Sequence, residues 1–467
     1  MGRRSRVSKA IALLVGLTWL TVAWPQAGWA QESQPSAALA PSLTLRQAID
    51  QALGKNPDAS MAQADLKAAK AGVSQARTGL LPRLNFTEDI SRGNDPVYVF
   101  GTRLRQQQFT AADFALNSLN KPIPVGNFAT RFNGSWMLFN WFGTQEQIHG
   151  AKFAAASATA MSEQADQGIV LRVVEAYQAV LYAQRRVDVA QHEETTAEAL
   201  LADAKTKVRA GLAVDSDMLA AQVNLSERQE ARIAAEGEVD VTWAQLEAAM
   251  GADTSSPRAT LQPIEARSFA DGVLADDIAS ALKAKPDLKA LRQQTLAQSA
   301  AAKAARDSLA PTVSAYGNWE LDNPNFTGGG GNNWVAGVQL NLDIFPMAKR
   351  AQLAQQRAAQ QKAEAQQRAG EQQIRLAVNR AWTEHHTAER IVATAQASMQ
   401  QSAESLRIVH NRYKAGLATM TDLLRAEDAQ RRSQNDYWRA VYGNTVAYAA
   451  LMYSTGTLTP DSAETLQ

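Results

Sequence analysis

The sequence predicts a mainly α-helical protein with two β-hairpins, built from two internal repeats. Residues 52–58 (ALGKNPD) return as residues 281–287 (ALKAKPD), and residues 208–217 (VRAGLAVDSD) return as residues 413–422 (YKAGLATMTD). A repeat of about 200 residues is far too long for a solenoid unit. Each half of the chain is therefore expected to hold several elements, with long helices around a shorter β-rich segment.

Two proline-free tracts, residues 125–256 and 347–459, carry the helical signal. They are rich in Ala, Gln, Glu, Arg and Leu, which favour helices. Helices predicted over 144–209 and 348–414 would each extend about 100 Å at about 1.5 Å per residue. Rods of that length exceed any globular core, so we expect them to pack side by side as hairpins. Shorter helices, interrupted by proline, are predicted at 45–80 and 274–309.

Each long helix is predicted to end at a glycine, Gly211 in the first half and Gly416 in the second. Glycine suits the left-handed position that follows a helix. Ser216 and Thr421 are the predicted N-caps of the two returning helices. Each half is therefore expected to contain a helical hairpin with a tight tip, at about 209–216 and 414–421.

Four segments alternate apolar and polar residues with the period of two that is typical of strands. They are residues 82–90, 128–139, 312–321 and 334–345. The first pair is expected to form a hairpin closed by a long loop at about 91–127. The loop of the second hairpin, 323–333, contains the glycine run 328–331.

Four tryptophans lie in or beside these strands, namely Trp136, Trp141, Trp319 and Trp334. Aromatic residues at the membrane interface are typical of outer-membrane strands of about 10 residues. The edge of a soluble β-sandwich would also explain the alternation. Four strands cannot close a barrel, and open strand edges are not tolerated in lipid. If the strands face lipid, several copies must complete one barrel, with the long helices forming a tube below it.

The N-terminus predicts export. Arg3, Arg4 and Arg6 precede an apolar run at 11–24, and Gly28 and Ala30 supply the small residues of a cleavage site. Residues 1–30 are therefore predicted to be a signal peptide. The chain has no cysteine, which excludes a thiol-linked lipid anchor and a cysteine nucleophile. No other segment reaches 18 consecutive apolar residues, so no transmembrane helix is predicted.

The sequence offers no convincing catalytic, metal or cofactor site. His385 and His386 are adjacent, but neighbouring positions on a helix point about 100° apart, and no HExxH spacing exists. The glycine run at 328–331 lacks the Lys-Ser/Thr of a phosphate loop. The formal net charge of +1 and the absence of a basic cluster give no sign of a nucleic-acid partner.

The pattern resembles the TolC-type outer-membrane efflux proteins over about residues 43–455. The resemblance rests on the duplicated NPD and KPD elements, on LFNWFG at 138–143, and on the paired RAGL and KAGL tips. It implies a homotrimer with a shared 12-stranded β-barrel in the outer membrane, four strands per protomer, above a periplasmic α-barrel. The implied function is the exit duct of a tripartite efflux or secretion system for small molecules, metals or polypeptides. The implied partners are a periplasmic adaptor, an inner-membrane pump of RND or ABC type, and outer-membrane lipid.

The resemblance also implies roles for the tips. Adaptor docking is expected at Arg209, Gly211, Leu212, Lys414, Gly416 and Leu417, although a plain helix end would explain the same residues. Asp217 and Asp422 match the acidic positions that close the periplasmic end. Arg425 stands one turn after Asp422, where it could lock the closed end or merely stabilise the helix by a few tenths of a kcal/mol.

These observations divide the chain into a signal peptide at 1–30 and a first repeat at 31–251, with its β-hairpin at about 82–140. A linker at 252–272 leads to a second repeat at 273–455, with its β-hairpin at about 311–345, and a tail at 456–467 follows. The alternative function is a periplasmic coiled-coil adaptor or scaffold. Such a protein would share the long hairpins but lack two tryptophan-marked β-hairpins in matching places.

Overall fold

The computed structural model describes residues 42–252, 258–262, 265–269 and 272–466. The predicted signal peptide lies outside these residues, as does part of the predicted linker. Within the described ranges, no helix combines the length and the apolar character that crossing a membrane requires.

The structure is mainly helical, as predicted. In chain order the helices are α1 (Leu45–Lys55), α2 (Pro57–Arg77), α3 (Pro96–Arg105), α4 (Leu116–Asn120), α5 (Gly143–Arg209), α6 (Asp215–Met250), α7 (Leu274–Ala284), α8 (Pro286–Asp307), α9 (Met347–Lys414), α10 (Met420–Thr455) and α11 (Ala463–Leu466). The strands are β1 (Ser42–Leu43), β2 (Arg83–Gly93), β3 (Val125–Phe139), β4 (Thr260–Leu261), β5 (Thr312–Asn323) and β6 (Gly331–Asn341).

The two helical hairpins are confirmed. Helix α5 has 67 residues and α9 has 68, and each turns back into a partner of 36 residues, α6 and α10. The main hydrophobic core lies where α1, α5, α6 and α10 meet, around Leu45, Tyr177, Leu246 and Val441. The buried Tyr177 hydroxyl donates to the carbonyl of Leu43 at 2.9 Å, which ties strand β1 to the middle of α5.

The predicted N-caps Ser216 and Thr421 are wrong by two residues, because α6 begins after Val214 and α10 after Thr419. The Thr419 hydroxyl accepts the backbone N–H of Asp422 at 3.1 Å. The Asp422 carboxylate accepts the backbone N–H of Thr419 at 3.0 Å. This reciprocal capping box satisfies two helix-terminal donors, whereas Thr421 has no acid three residues on.

The four long strands form one antiparallel sheet in the order β2-β3-β5-β6. Both predicted hairpins are confirmed, and the pairing of β3 with β5 joins them. Within the described part of the chain, strands β2 and β6 pair on one side only and leave two free edges of 11 residues each. The prediction that β6 runs to residue 345 is wrong. It ends at Asn341, because the chain turns ahead of Pro346, with Met347 N–H donating to the Phe345 carbonyl at 2.8 Å.

The sheet has one aromatic and one polar face. Phe86, Phe132, Trp319 and Trp334 stand side by side in register across all four strands. On the other face, Arg131 forms an ion pair with Glu320 at 2.7 Å. The sheet therefore separates two surfaces of opposite polarity along its whole width.

The long loop predicted at about 91–127 is mostly a folded unit that contains α3 and α4. We call residues 94–124 the cap. Three of its phenylalanines are in edge-to-face contact, Phe100, Phe109 and Phe114, with ring centroids 4.8 to 6.4 Å apart. Phe100 and Phe109 are half-buried and Phe114 is exposed. Arg103 pairs with Asp113 beside them. These three phenylalanines therefore form an aromatic cluster that is partly open to solvent.

The repeated sequence at 52–58 and 281–287 forms the same joint in both halves. Helix α6 ends at Gly251 (φ +63°), which lies against the bend between α1 and α2. Helix α10 ends at Gly456 (φ +76°), which lies against the bend between α7 and α8. A Cβ on Gly251 would lie 2.9 Å from the Lys55 carbonyl oxygen, and one on Gly456 would lie 3.0 Å from the Cα of Lys285. Only glycine fits both the backbone angle and the space.

Candidate functional site

The two helical hairpin tips have the same local structure. The N–H of Leu212 donates to the Lys207 carbonyl at 2.8 Å, and the N–H of Leu417 donates to the Arg412 carbonyl at 2.8 Å. Gly211 (φ +71°) and Gly416 (φ +72°) supply the left-handed residue. These are Schellman motifs, and they confirm the predicted glycine positions.

The tip residues predicted to dock a partner lie on the surface. Arg209 and Lys414 are the last residues of α5 and α9. Leu212 is 79 % exposed and Leu417 is 70 % exposed. Two large apolar side chains beside two cations are therefore open to solvent in a single copy.

A small hydrophobic core, the tip core, holds the two hairpins together just behind the tips. Its buried members come from α5, α6 and α10: Leu200, Leu201, Ala204, Ala221, Met420 and Leu423. Tyr413 at the end of α9 packs against it. The first hairpin therefore cannot move away from the second without opening this core.

Lys207 reaches from the first hairpin to the second. Its Nζ lies 4.1 Å from the ring centroid of Tyr413 and 2.9 Å from Asp203 Oδ2. A cation over an aromatic face is attracted by the ring quadrupole. Burial raises the pKa of the Tyr413 hydroxyl, and the Lys207 charge opposes that shift. Sequence analysis did not identify this contact, because Lys207 and Tyr413 belong to different repeats.

The acidic residues predicted to form a gate lie in the first turns of the returning helices. Asp422 is exposed, and hydrogen bonds from the Thr419 backbone and hydroxyl lower the pKa of its carboxyl. Arg425 adds a smaller through-space attraction, and in the described part of the chain it forms no ion pair with Asp422. The predicted Asp422–Arg425 pair is therefore replaced by the capping box. Asp217 is half-buried in the first turn of α6.

The four predicted interface tryptophans fall into two groups. Trp136 and Trp141 lie where the sheet meets the long helices, and the Trp136 indole N–H donates to the Leu80 carbonyl at 2.9 Å. Trp319 and Trp334 are register partners in mid-strand. Trp141 has a positive φ of 53°, as has Phe142 at 70°, so this turn from β3 into α5 is strained.

The cap lies on the polar face of the sheet, at the end remote from the long helices. The Gln106 side-chain amide donates to Asn127 Oδ1 at 2.9 Å, and Asn127 donates to Asp322 Oδ1 at 2.6 Å. All three side chains are at least 90 % buried. Arg105 adds an ion pair with Glu320 at 3.7 Å. The cap is therefore fixed to the sheet by a buried polar network.

The structure gives a reason for one glycine of the run at 328–331, namely Gly331, to which the sequence analysis assigned no role. A Cβ at Gly331 would lie 1.7 Å from the Arg105 carbonyl oxygen. The same carbonyl accepts the Asn333 side-chain amide at 3.0 Å. The last turn of α3 therefore sits directly on the first residues of β6, which is possible only without a side chain at Gly331.

No group of three or more His, Cys, Asp or Glu among residues 42–252, 258–262, 265–269 and 272–466 is placed to hold a metal ion. The adjacent histidines belong to an aromatic cluster instead. His386 stacks on Trp382 with centroids 3.8 Å apart, and His385 lies 5.1 Å from Tyr448.

The family model described as "Outer membrane efflux protein" matches residues 48–252 and 278–457. Among curated proteins, CyaE of Bordetella pertussis is 27% identical over 446 residues, covering 92% of this chain and 84% of its own. The outer membrane efflux protein BepC of Brucella suis is 23% identical over 424 residues, covering 90% and 87%.

Solved structures share the fold. The CmeC outer membrane channel of Campylobacter jejuni superposes with a TM-score of 0.76 at 16% identity and covers 94% of both chains. The open MtrE outer membrane channel of Neisseria gonorrhoeae has a TM-score of 0.73 at 18% identity, covering 89% of this chain and 90% of its own.

Proposed function

The chain belongs to the outer membrane efflux protein family and is an outer-membrane channel for efflux or secretion; from that premise we propose that three copies form one passive exit duct. Cargo enters the duct from a periplasmic adaptor coupled to an inner-membrane pump of RND or ABC type. The proposed cargo is small molecules, metals or polypeptides. The family is one of channels rather than enzymes.

The two free edges of the sheet are the observation that carries this proposal. Among the described residues, strands β2 and β6 each leave one row of N–H and C=O groups without a strand partner. Such edges pair with other strands unless they are protected. Because both edges have 11 residues, β6 of one copy can pair with β2 of the next along the full length. Three copies would then give twelve strands around the polar face.

The four-stranded sheet also disfavours the alternative function. A periplasmic coiled-coil adaptor or scaffold would require the helical hairpins. Its function would not require a sheet with a row of aromatic side chains across all four strands. We place the aromatic face against outer-membrane lipid, with the polar face inside the duct. The cap would then lie over the mouth of the duct.

Reconstitution of the purified full-length chain tests the proposal. Light scattering in detergent is expected to give a particle of three chains, and planar bilayers are expected to show conductance steps. A water-soluble monomer that assembles in no detergent and conducts in no bilayer would refute it.

The tips are proposed to form both the adaptor contact and the gate. Arg209, Gly211, Leu212, Lys414, Gly416 and Leu417 form the exposed contact surface. Asp217, Asp422 and Arg425 belong to the gate, to which we add Lys207 and Tyr413. The Lys207–Tyr413 contact supports this proposal because it joins hairpins that must separate if the tube opens.

Asp422→Ala is expected to raise the mean single-channel conductance in planar bilayers, because it removes a negative charge next to the tips. It also removes half of the capping box, namely the carboxylate that accepts the Thr419 backbone N–H. Thr419→Ala is the control, since it weakens the same cap but keeps the charge. Equal conductance changes in both variants would assign Asp422 to the cap alone. Unchanged conductance in Asp422→Ala would remove it from the gate.

A further inference from the structure

Two glutamates, Glu193 on α5 and Glu427 on α10, are largely buried in the seam between these helices. Glu193 is 8 % exposed and Glu427 is 6 % exposed. Across the described residues, neither carboxylate accepts a hydrogen bond or forms an ion pair. Buried acids without such partners are rare, because desolvation of a charge is costly. This pair plays no part in the capping or packing described above.

The basic groups nearby are bound to other residues. Arg228 of α6 donates to Asn224 Oδ1 at 3.1 Å and pairs with Asp428 Oδ1 at 3.2 Å. Arg431 of α10 pairs with the same Asp428 oxygen at 2.9 Å. Arg432 adds a third contact to Asp428, at 3.3 Å from Oδ2. The direct ion pairs of these three guanidinium groups therefore go to Asp428, and Glu193 and Glu427 receive only through-space attraction from Arg228 and Arg431.

The remaining charged groups around the seam also have their own contacts or lie at its margin. On α6, Arg232 pairs with both Glu194 of α5 and Glu236. On α9, Arg407 pairs with Glu404 at 2.7 Å, and both are more than half exposed. On α5 itself, the charge of His192 also opposes the raised pKa of Glu193.

Burial and the neighbouring charge of Glu193 raise the pKa of Glu427 to about 7, against an opposing effect of Arg228. Burial also raises the pKa of Glu193, and Arg228 and Arg431 oppose that shift. A charge on Glu193 therefore disfavours a second negative charge on Glu427 in the same largely buried seam. The pair therefore holds a proton in the neutral range, where an exposed glutamate would hold none.

The pair lies next to the tip core. Glu427 follows Leu423 by one helical turn, and Glu193 precedes Leu200 by two turns on the facing helix. Glu427 is also five residues from Asp422, about 7.5 Å along the helix axis. Glu193 and Glu427 are therefore close along their helices to the tip core, so a change in their charge acts near the contacts that hold the hairpins together.

We propose that Glu193 and Glu427 form a proton-controlled latch between the two helical hairpins. With Glu427 protonated, α5 and α10 stay packed and the tips stay together; when Glu427 loses its proton, repulsion from Glu193 loosens the seam. Because the pKa of Glu427 is higher in the folded seam than in a free glutamate, the stabilisation is complete at acid pH and is lost as pH rises through about 7. The effect on conductance rests on the proposed channel function, but the effect on the tips does not.

The cysteine-free chain allows a direct test. Spin labels on Leu212→Cys and Leu417→Cys, both exposed, report the separation of the tips by pulsed electron spin resonance. In the otherwise native chain the distance distribution is expected to lengthen or broaden as pH rises from 6 to 8. Glu427→Gln should abolish that response and keep the short distance at both pH values, and single-channel conductance should lose its pH dependence in parallel.

Glu404→Gln is the matched control, because it makes the same chemical change at an exposed site on α9, and it should respond to pH as the native chain does. Glu193→Gln should also abolish the response. Agreement between the two variants would show that the loss is not an unrelated effect of the Glu427→Gln substitution. An unchanged pH response in Glu427→Gln, or none in the native chain, would overturn the latch. A pH-dependent tip distance without any conductance would instead refute the channel proposal and leave the latch standing.

Discussion

Gly251→Val is expected to destabilise the fold by about 2–5 kcal/mol, the sum of a left-handed backbone penalty and of overpacking. Gly251 has a φ of +63°, and a Cβ there would lie 2.9 Å from three backbone atoms of Lys55 and Asn56. The same residues hold the end of α6, because the Asn56 side-chain amide donates to the Ala249 carbonyl at 2.9 Å. The variant therefore damages the joint of the first repeat.

Thermal unfolding followed by circular dichroism in detergent measures this effect as a lowered midpoint. Gly237→Val is the matched control, because Gly237 lies in the same helix, has no positive φ, and would place a Cβ with no atom within 4 Å. Equal midpoints for the two variants would contradict the role assigned to the joint.

Gly331→Val is expected to release the cap from the sheet. A Cβ at Gly331 would lie 1.7 Å from the Arg105 carbonyl oxygen, so α3 must move away, and the buried contact between Gln106 and Asn127 breaks with it. A local loss of about 2 kcal/mol raises the open population about thirtyfold. Trypsin should then cleave after Arg103 or Arg105 faster by a similar factor.

Limited proteolysis with mass spectrometry gives the rates. Gly329→Val is the control two residues away, since no atom lies within 4 Å of a Cβ there. If both variants are cut as slowly as the native chain, the cap is not held by the close approach at Gly331. In bilayers, Gly331→Val should also raise conductance, because the cap lies on the face that we assign to the interior of the duct.

The repeats, the long helices and the tips could be predicted because each depends on residues close together in sequence. A glycine after a long periodic run, with a new helix start a few residues later, favours a helix end. The N-cap of α10 was also within reach, since Thr419 has Asp422 three residues on, whereas Thr421 has no acid at that spacing.

The cap, the latch and the Lys207–Tyr413 contact could not be predicted, because they depend on contacts between distant segments. Arg105 and Gly331 are 226 residues apart, and Glu193 and Glu427 are 234 apart. Nothing near Glu427 in the sequence distinguishes it from the many solvated glutamates of the same helices. Its environment is set by α5, which belongs to the other repeat.

The equal length of the two free sheet edges has a genetic consequence. In the proposed trimer each copy offers one edge to each neighbour, so a defective copy enters the assembly as readily as a sound one. In a cell that makes both forms, most ducts would then contain at least one altered subunit. An allele whose product is inactive but still forms the four-stranded sheet should therefore be dominant over the native allele. An allele whose product lacks β2 or β6 cannot join the assembly and should be recessive.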